Sequence, residues 1–340
     1  MRRGDARIWL PLALVFLAAA LLTGVLVGPV HLGAVSVVRA TFAHFFGLHS
    51  PLSGANDAIV WELRLPRVIL AALVGGTLAV AGASYQGVFR NPLADPYLLG
   101  AAAGAGLGAT IVVAYAPASR LTGDLLPLGA FVGAALAVVA AYVLGRSAGV
   151  AAGPAALVLA GVTIASFLTA VQTFVQQQHV DTVQEVYSWL LGRLATSGWR
   201  EVGIVFPYVA VAWVILVAHR RLLDVLAVGD EEAASLGVNV ARVRLLVVAA
   251  ATVATAAAVA VAGLIGFVGI IVPHTIRLLV GGSYRLLLPL SVIVGAGFLV
   301  FADVIARTVV SPAELPIGVV TAFFGAPFFA VVLRTSRRTI

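Results

Sequence analysis

Runs of eighteen or more residues drawn almost wholly from Leu, Val, Ala, Ile and Phe recur along this chain, and they decide its fold class before any motif is considered. At ~1.5 Å of rise per residue, such a run makes a helix able to cross the ~30 Å hydrocarbon core of a bilayer. A mean hydropathy of +1.09 with 10% charged residues agrees, since no soluble domain tolerates such a surface. The chain therefore reads as an all-α polytopic membrane protein, a single membrane domain over residues 1–340. Ten spans are expected, over residues 8–28, 68–89, 98–115, 126–145, 155–177, 202–218, 245–263, 265–280, 286–306 and 316–333.

Two of these spans need a break between them. Leu245 to Val280 is apolar except for His274 and Arg277, and as one helix it would measure roughly 54 Å, almost twice the hydrocarbon thickness. The stretch GLIGFVGIIVP supplies the break, with Gly263, Gly266 and Gly269 loosening the helix and Pro273 lacking an N–H. The opening, MRRGDARIW followed by LPLALVFLAAALLTGVLVG, has the order of a signal peptide. Its apolar part has the length of a full span and more spans follow, so it is expected to be the first span.

Arginine placement orients the chain. With the N-terminus inside, the inner segments hold fourteen arginines (Arg2, Arg3, Arg7, Arg90, Arg146, Arg220, Arg221, Arg242, Arg244, Arg277, Arg285, Arg334, Arg337 and Arg338) against seven outside (Arg39, Arg64, Arg67, Arg120, Arg193, Arg200 and Arg307). The positive-inside rule then places both termini in the cytoplasm, which an even number of spans requires. In this setting a net charge of +7 marks inner loops rather than a nucleic-acid surface.

What the chain lacks is equally informative. It has no cysteine, which excludes disulfide scaffolds, thiolate metal sites and cysteine nucleophiles. All twenty-one basic residues are arginine, and a Walker A loop needs its lysine to reach the β- and γ-phosphates. By that route the chain does not hydrolyse ATP. His44 and His49 have no further ligand types at metal spacing, so no metal site is expected, and His274 reads as a packed histidine.

Four places stand out against the apolar background. In GDEEAASLGVN, on the long inner loop, Leu222 to Val228 is expected to form a short helix closed by Gly229. Asp230 is then expected to cap a second helix, with Glu231 and Glu232 in its first turn and Gly237 at its end. Helices of six or seven residues are not stable alone in water, so this pair must pack on the bundle or on another protein. In RNPLADPYLLG, the pairs Asn91–Pro92 and Asp95–Pro96 predict a rigid turn, and Gly100, Gly104 and Gly108 follow on one helix face, as membrane helices use to approach closely. Arg64 and Arg67 flank Leu65–Pro66, with Pro66 suited to the first turn of the second span. Arg307 ends the ninth span, and Glu62 and Asp303 are within reach as internal partners. Finally, the fifth span carries Ser166, Thr169, Thr173 and Gln176 on one face with Gln172 beside them. Such a stripe serves either a polar path or hydrogen bonds between helices.

A family resemblance rests on RLPR at 64–67, GASYQGVFRNPLADPYLLGAAAGAGLGA at 82–109, LAVGDEEAASLGV at 226–238, GLIGFVGIIVPHTIRLL at 263–279, ADVIAR at 302–307 and ELPIGVVTAFFGAPFF at 314–329. In order and over nearly the whole chain, these strings resemble the permease subunits of type II ABC importers, the FecCD family of cobalamin, heme and iron-siderophore permeases.

The resemblance implies a ten-helix permease of the bacterial cytoplasmic membrane that pairs with itself around a translocation path. Two copies of a separate ATPase, which bind the ATP and magnesium, would dock from the cytoplasm, and a substrate-binding protein would dock outside. The chain itself would hold no cofactor. The loop over 222–239 would supply coupling helices, placing Asp230, Glu231, Glu232, Ala233, Ser235, Leu236 and Gly237 at the ATPase. Arg64, Arg67 and Arg307 would receive carboxylates of the binding protein. Ser166, Thr169, Gln172, Thr173 and Gln176 would border the path of a metal chelate, an iron-siderophore first, with heme or cobalamin as alternatives. An ion-coupled secondary transporter is the alternative from another class, and it needs ionisable residues near mid-membrane. The one acid within the expected spans is Asp303, close to an end and within reach of Arg307.

Overall fold

The computed structural model describes residues 4–116, 120–147, 153–194 and 198–336. Arg2, Arg3, Arg337 and Arg338 of the arginine count lie outside the described residues. The described chain is helical: α1 (Gly4–Leu26), α2 (Ala34–Phe46), α3 (Gly54–Ala58), α4 (Leu65–Phe89), α5 (Ala101–Tyr115), α6 (Arg120–Ser147), α7 (Gly153–Gln178), α8 (Val183–Leu190), α9 (Trp199–Ala218), α10 (Arg220–Leu226), α11 (Asp230–Ser235), α12 (Val240–Ala262), α13 (Val268–Val280), α14 (Tyr284–Thr308) and α15 (Ile317–Ser336). Every expected span is a helix. Among the described residues seven helical stretches are long and apolar enough to cross a membrane, and α2, α5, α13 and α15 are shorter apolar helices. The amphipathic helix α2, between the first and second spans, had no counterpart among the expected elements.

Helix α4 is the axis of the bundle. Leu73 to Phe89 are buried without interruption, and α4 packs against α14, α12, α13 and α9. A helix buried on all sides has to pair its polar side chains within the protein, and Thr77, Ser84 and Tyr85 of α4 are paired in this way. Ser84 Oγ donates to the carbonyl of Val80 at 2.7 Å, Tyr85 and Thr252 share a hydrogen bond of 2.7 Å, and Thr77 accepts from Trp213 Nε1 at 3.1 Å. Close approach comes from glycine pairs. A Cβ on Gly104 would lie 2.2 Å from the carbonyl oxygen of Gly133, and one on Gly108 would lie 2.1 Å from that of Gly129. The small-residue face of α5 therefore meets a matching face of α6, as the sequence predicted.

Two expectations about helix ends need correction. Pro66 does stand in the first turn of α4, but the helical run of the second span does not begin there. It runs from Gly54, crossing a π-helical stretch, Ile59–Arg64, in which Leu65 N donates to the carbonyl of Val60. Because Pro66 has no N–H to continue the ordinary ladder, the chain widens by one residue there and continues. The second correction concerns the break near Gly263. It covers 263–267 only, and Gly269 and Pro273 lie inside α13. Pro273 leaves the carbonyl of Gly269 without its usual i+4 donor, and Gln86 Nε2 of α4 supplies one at 3.0 Å. Non-helical backbone at membrane depth must be sealed within protein. Here Tyr97 does so, its hydroxyl bonding both the N–H and the carbonyl of Ile265 at 3.2 Å, while Arg193 N donates to the carbonyl of Ala262 at 2.9 Å.

The RNPLADPYLLG loop is thereby fixed to the break. Its turn is closed by Tyr97 N donating to Asp95 Oδ1 at 2.8 Å, and burial pushes the Asp95 carboxyl up to about 6.

Candidate functional site

Three groups of residues have the chemistry to meet other molecules, and the first is the arginine cluster where α1, α4 and α14 converge. The last four carbonyls of any α-helix lack intrahelical donors. In α1 all four are satisfied: that of Thr23 by Val27 N at 2.9 Å, that of Gly24 by Arg307 Nη2 at 2.5 Å, and those of Val25 and Leu26 by Arg64 Nη1 at 3.1 Å each. Arg64 Nη2 donates also to the carbonyl of Val30. Two cations thus sit at the negative end of the helix dipole, which favours them. Arg64 and Arg307 are only 4% and 2% exposed.

Arg67 is held differently. Its Nε and Nη2 grip Asp303, at 2.9 and 2.8 Å to Oδ1, and its Nη1 donates to Glu314 Oε1 at 2.9 Å. Asp303 is fully buried and also pairs with Arg307 Nε at 3.4 Å, whereas Glu314 is about a third exposed. The pairing of Asp303 with Arg307 matches the spacing. Arg64 does not use Glu62 as a partner but takes backbone carbonyls. Beside this network lies a cleft of about 360 Å³ that includes Leu63, Arg64, Arg67, Arg307 and Glu314 in its wall.

The second group is the α10–α11 corner. Asp224 accepts from Ser283 Oγ at 3.0 Å and from Tyr284 N at 2.6 Å, so it caps α14 and pins α10 to it. Asp230 is not the cap of α11: Gly229, at φ +152°, occupies that position, and Asp230 is the first helical residue. Its carboxylate turns back to the bundle and pairs with Arg244 Nη2 at 3.1 Å and Arg90 Nη2 at 3.3 Å. The C-terminal expectation is met. Gly237, at φ +80°, closes α11 with its N–H on the carbonyl of Ala234 at 2.9 Å and Val238 N on that of Ala233 at 3.1 Å. Ala233 is buried against the bundle. Glu231, Glu232 and Ser235 are exposed, and Val228 and Leu236 stand 69% and 70% exposed among them. Two exposed apolar side chains and two exposed acids, on helices too short to stand alone, make this corner a candidate contact surface.

The third group lies on α7. Ser166, Thr169 and Thr173 are exposed on one face and Gln176 partly so. The hydroxyls of Ser166 and Thr173 donate to the carbonyls four residues back, at 2.9 Å each, and keep their lone pairs outward as acceptors. Gln172 departs from the stripe. It is buried, with Oε1 only 2.8 Å from where a Cβ on Gly106 would stand.

Comparison with known proteins decides the family. The FecCD transport family model matches residues 14–335. This chain belongs to the FecCD transport family. Among its FecCD relatives, an uncharacterized ABC transporter permease protein, YvrB of Bacillus subtilis, is 39% identical over 95% of this chain and 92% of its own length. The cobalamin import system permease protein BtuC of Halobacterium salinarum is 39% identical over 90% of this chain and 81% of its own. The Fe(3+)-citrate import system permease protein YfmE of Bacillus subtilis is 35% identical, covering 84% and 85%. The solved structure of a metal-chelate type ABC transporter in an inward-facing conformation superposes with a TM-score of 0.82 at 27% identity, over 97% of this chain and 99% of that one. The FecCD chain is thus a multi-pass membrane protein with a permease fold. Sequence reading found the arginines and the corner but missed Glu314, Asp224 and the pairing of Asp230 with Arg90 and Arg244. Those contacts span 14 to 247 residues and leave no periodic trace.

Proposed function

We propose that this FecCD chain is the permease subunit of an ATP-driven importer of a metal chelate, iron-siderophore first and heme or cobalamin as alternatives, acting as a homodimer in the cytoplasmic membrane. The observation that carries the reading is the α10–α11 corner, whose exposed Val228 and Leu236 stand among Glu231, Glu232 and Ser235 at the end of the bundle that arginine placement assigns to the cytoplasm. Residues 222–239 act as coupling helices for a separate ATPase. Of the three arginines expected to receive an extracytoplasmic binding protein, Arg67 is the one placed to meet an acid, while buried Arg64 and Arg307 add positive potential behind it. The outward acceptors on α7 border the path, with Gln172 holding α7 to α5 behind them. That relatives of this chain are named for cobalamin and for Fe(3+)-citrate supports the chelate class and leaves its member to be measured. An ion-coupled carrier fits less well, because buried Asp303 is already neutralised by two arginines.

Proteoliposome uptake tests the reading. Transport should require ATP and the second, ATP-binding chain; uptake driven by an ion gradient alone overturns it. Coupling has its own test. Gly237→Val forces a β-branched residue into the left-handed region at a cost of roughly 1–2 kcal/mol or more. Substrate-stimulated ATP hydrolysis and uptake should fall while insertion is retained. Unchanged activity would remove the coupling role from this corner.

A further inference from the structure

We propose that Glu314 is an internal stand-in for the binding protein's carboxylate, occupying Arg67 in the undocked transporter and giving way when the partner's acid arrives. The inference rests on the docking role proposed above for the arginines. Its basis is the inequality of the two carboxylates on Arg67. Asp303 is fully buried, is gripped by both Nε and Nη2 of Arg67, and is shared with Arg307, so removing it would leave guanidiniums unpaired in a low-dielectric interior. Glu314 is about a third exposed and makes a single contact, at 2.9 Å, on the one remaining nitrogen, Nη1. An exposed pair of this kind contributes little and is exchanged at little cost.

The cleft gives the exchange a place. Three guanidiniums, those of Arg64, Arg67 and Arg307, contribute to its wall, together with one carboxylate, Glu314. Arg64 and Arg307 are committed to the carbonyls at the end of α1 and supply positive potential, while Nη1 of Arg67 is the point at which one carboxylate can replace another. About 360 Å³ is ample for an acidic side chain inserted from outside. As Glu314 leaves, only its side chain has to move, because the main chain beyond it stays held by Leu315 N on the carbonyl of Ala306 at 2.9 Å and by Gly318 N on that of Leu191 at 3.1 Å.

The measurement is the affinity of the reconstituted permease–ATPase complex for the binding protein that stimulates its ATP hydrolysis, at low and high salt. Glu314→Gln should tighten binding roughly two- to fivefold at low salt by removing the competitor, whereas Arg67→Gln should weaken it. In the Arg67→Gln background, Glu314→Gln should have no effect, which a merely structural role for Glu314 would not produce. If Arg67→Gln weakens binding and Glu314→Gln leaves it unchanged or weaker, the exchange is wrong and docking on Arg67 stands. If Arg67→Gln binds as tightly as the parent, the docking role of Arg67 falls and the exchange with it. Glu314→Ala provides the same test should the amide find a new partner.

Discussion

Gly82→Ala is expected to prevent stable assembly of the bundle, a large consequence for the addition of one methyl group. An ideal Cβ at position 82 would lie 2.1 Å from the carbonyl oxygen of Gly269 and 2.6 Å from its Cα. Those are backbone atoms, and no rotamer change relieves the clash. Helix α13 would have to withdraw from α4, although Gln86 Nε2 holds the same Gly269 carbonyl at 3.0 Å. Overpacking a core ordinarily costs ~1–3 kcal/mol, and a clash between two main chains belongs at or above the top of that range. The check is the monodisperse fraction in detergent and its unfolding temperature. Gly203→Ala on α9, where a Cβ meets nothing within 4 Å, is the control and should be neutral or stabilising by up to ~1 kcal/mol. A Gly82→Ala protein as stable as the control would mean that the two helices are not in contact.

Asp303→Ala should be nearly as damaging, by another route. It removes the shared anion of Arg67 and Arg307 and leaves two guanidiniums without it where little water reaches, a loss of the kind that costs ~3–5 kcal/mol. Glu314→Ala removes a carboxylate from the same Arg67 at a partly exposed position and should cost only ~0–1 kcal/mol. Thermal unfolding of the two variants side by side tests the assignment of a permanent and an exchangeable partner. Equal losses would contradict it. The network also limits simple charge reversal as a probe of docking. Arg67→Glu would set a third carboxylate against Asp303 and Glu314, so a fall in partner binding could reflect a disturbed end of α14 instead.

The architecture was legible because membrane helices carry their own signal. Each must be apolar over a long stretch, so all ten expected spans fall on helices, seven of them long enough to cross a membrane and three shorter. Turn chemistry was legible wherever the cause is local, as at Gly237, whose left-handed backbone follows from its place after a short helix. Reading failed where the cause lies in a distant segment. Pro66 does lie in the first turn of an α-helix, and only Val60 accepting from Leu65 shows that a π-helical stretch leads into it. Asp230 looks like a cap until Arg90, just past the end of α4, and Arg244 of α12 are brought to it. Arg64 looks like an anchor beside Glu62, yet its partners are carbonyls nearly forty residues earlier. A main-chain carbonyl has no letter in a sequence, so a side chain that serves one cannot be paired by pattern.

The end of α1 also sets a clock for biosynthesis. Gly24 emerges from the ribosome 283 residues before Arg307, the side chain that satisfies its carbonyl. At a synthesis rate of ~5–20 residues per second, this interval is roughly 15 to 60 s. During it the last turn of α1 must turn its open carbonyls toward water or lipid headgroups, so the helix is inserted but not yet fixed in depth. Arg64 ends part of that wait early, and Arg307 ends the rest only after α14 has been made. Helix α1 is therefore complete long before the contact that locks its end can form.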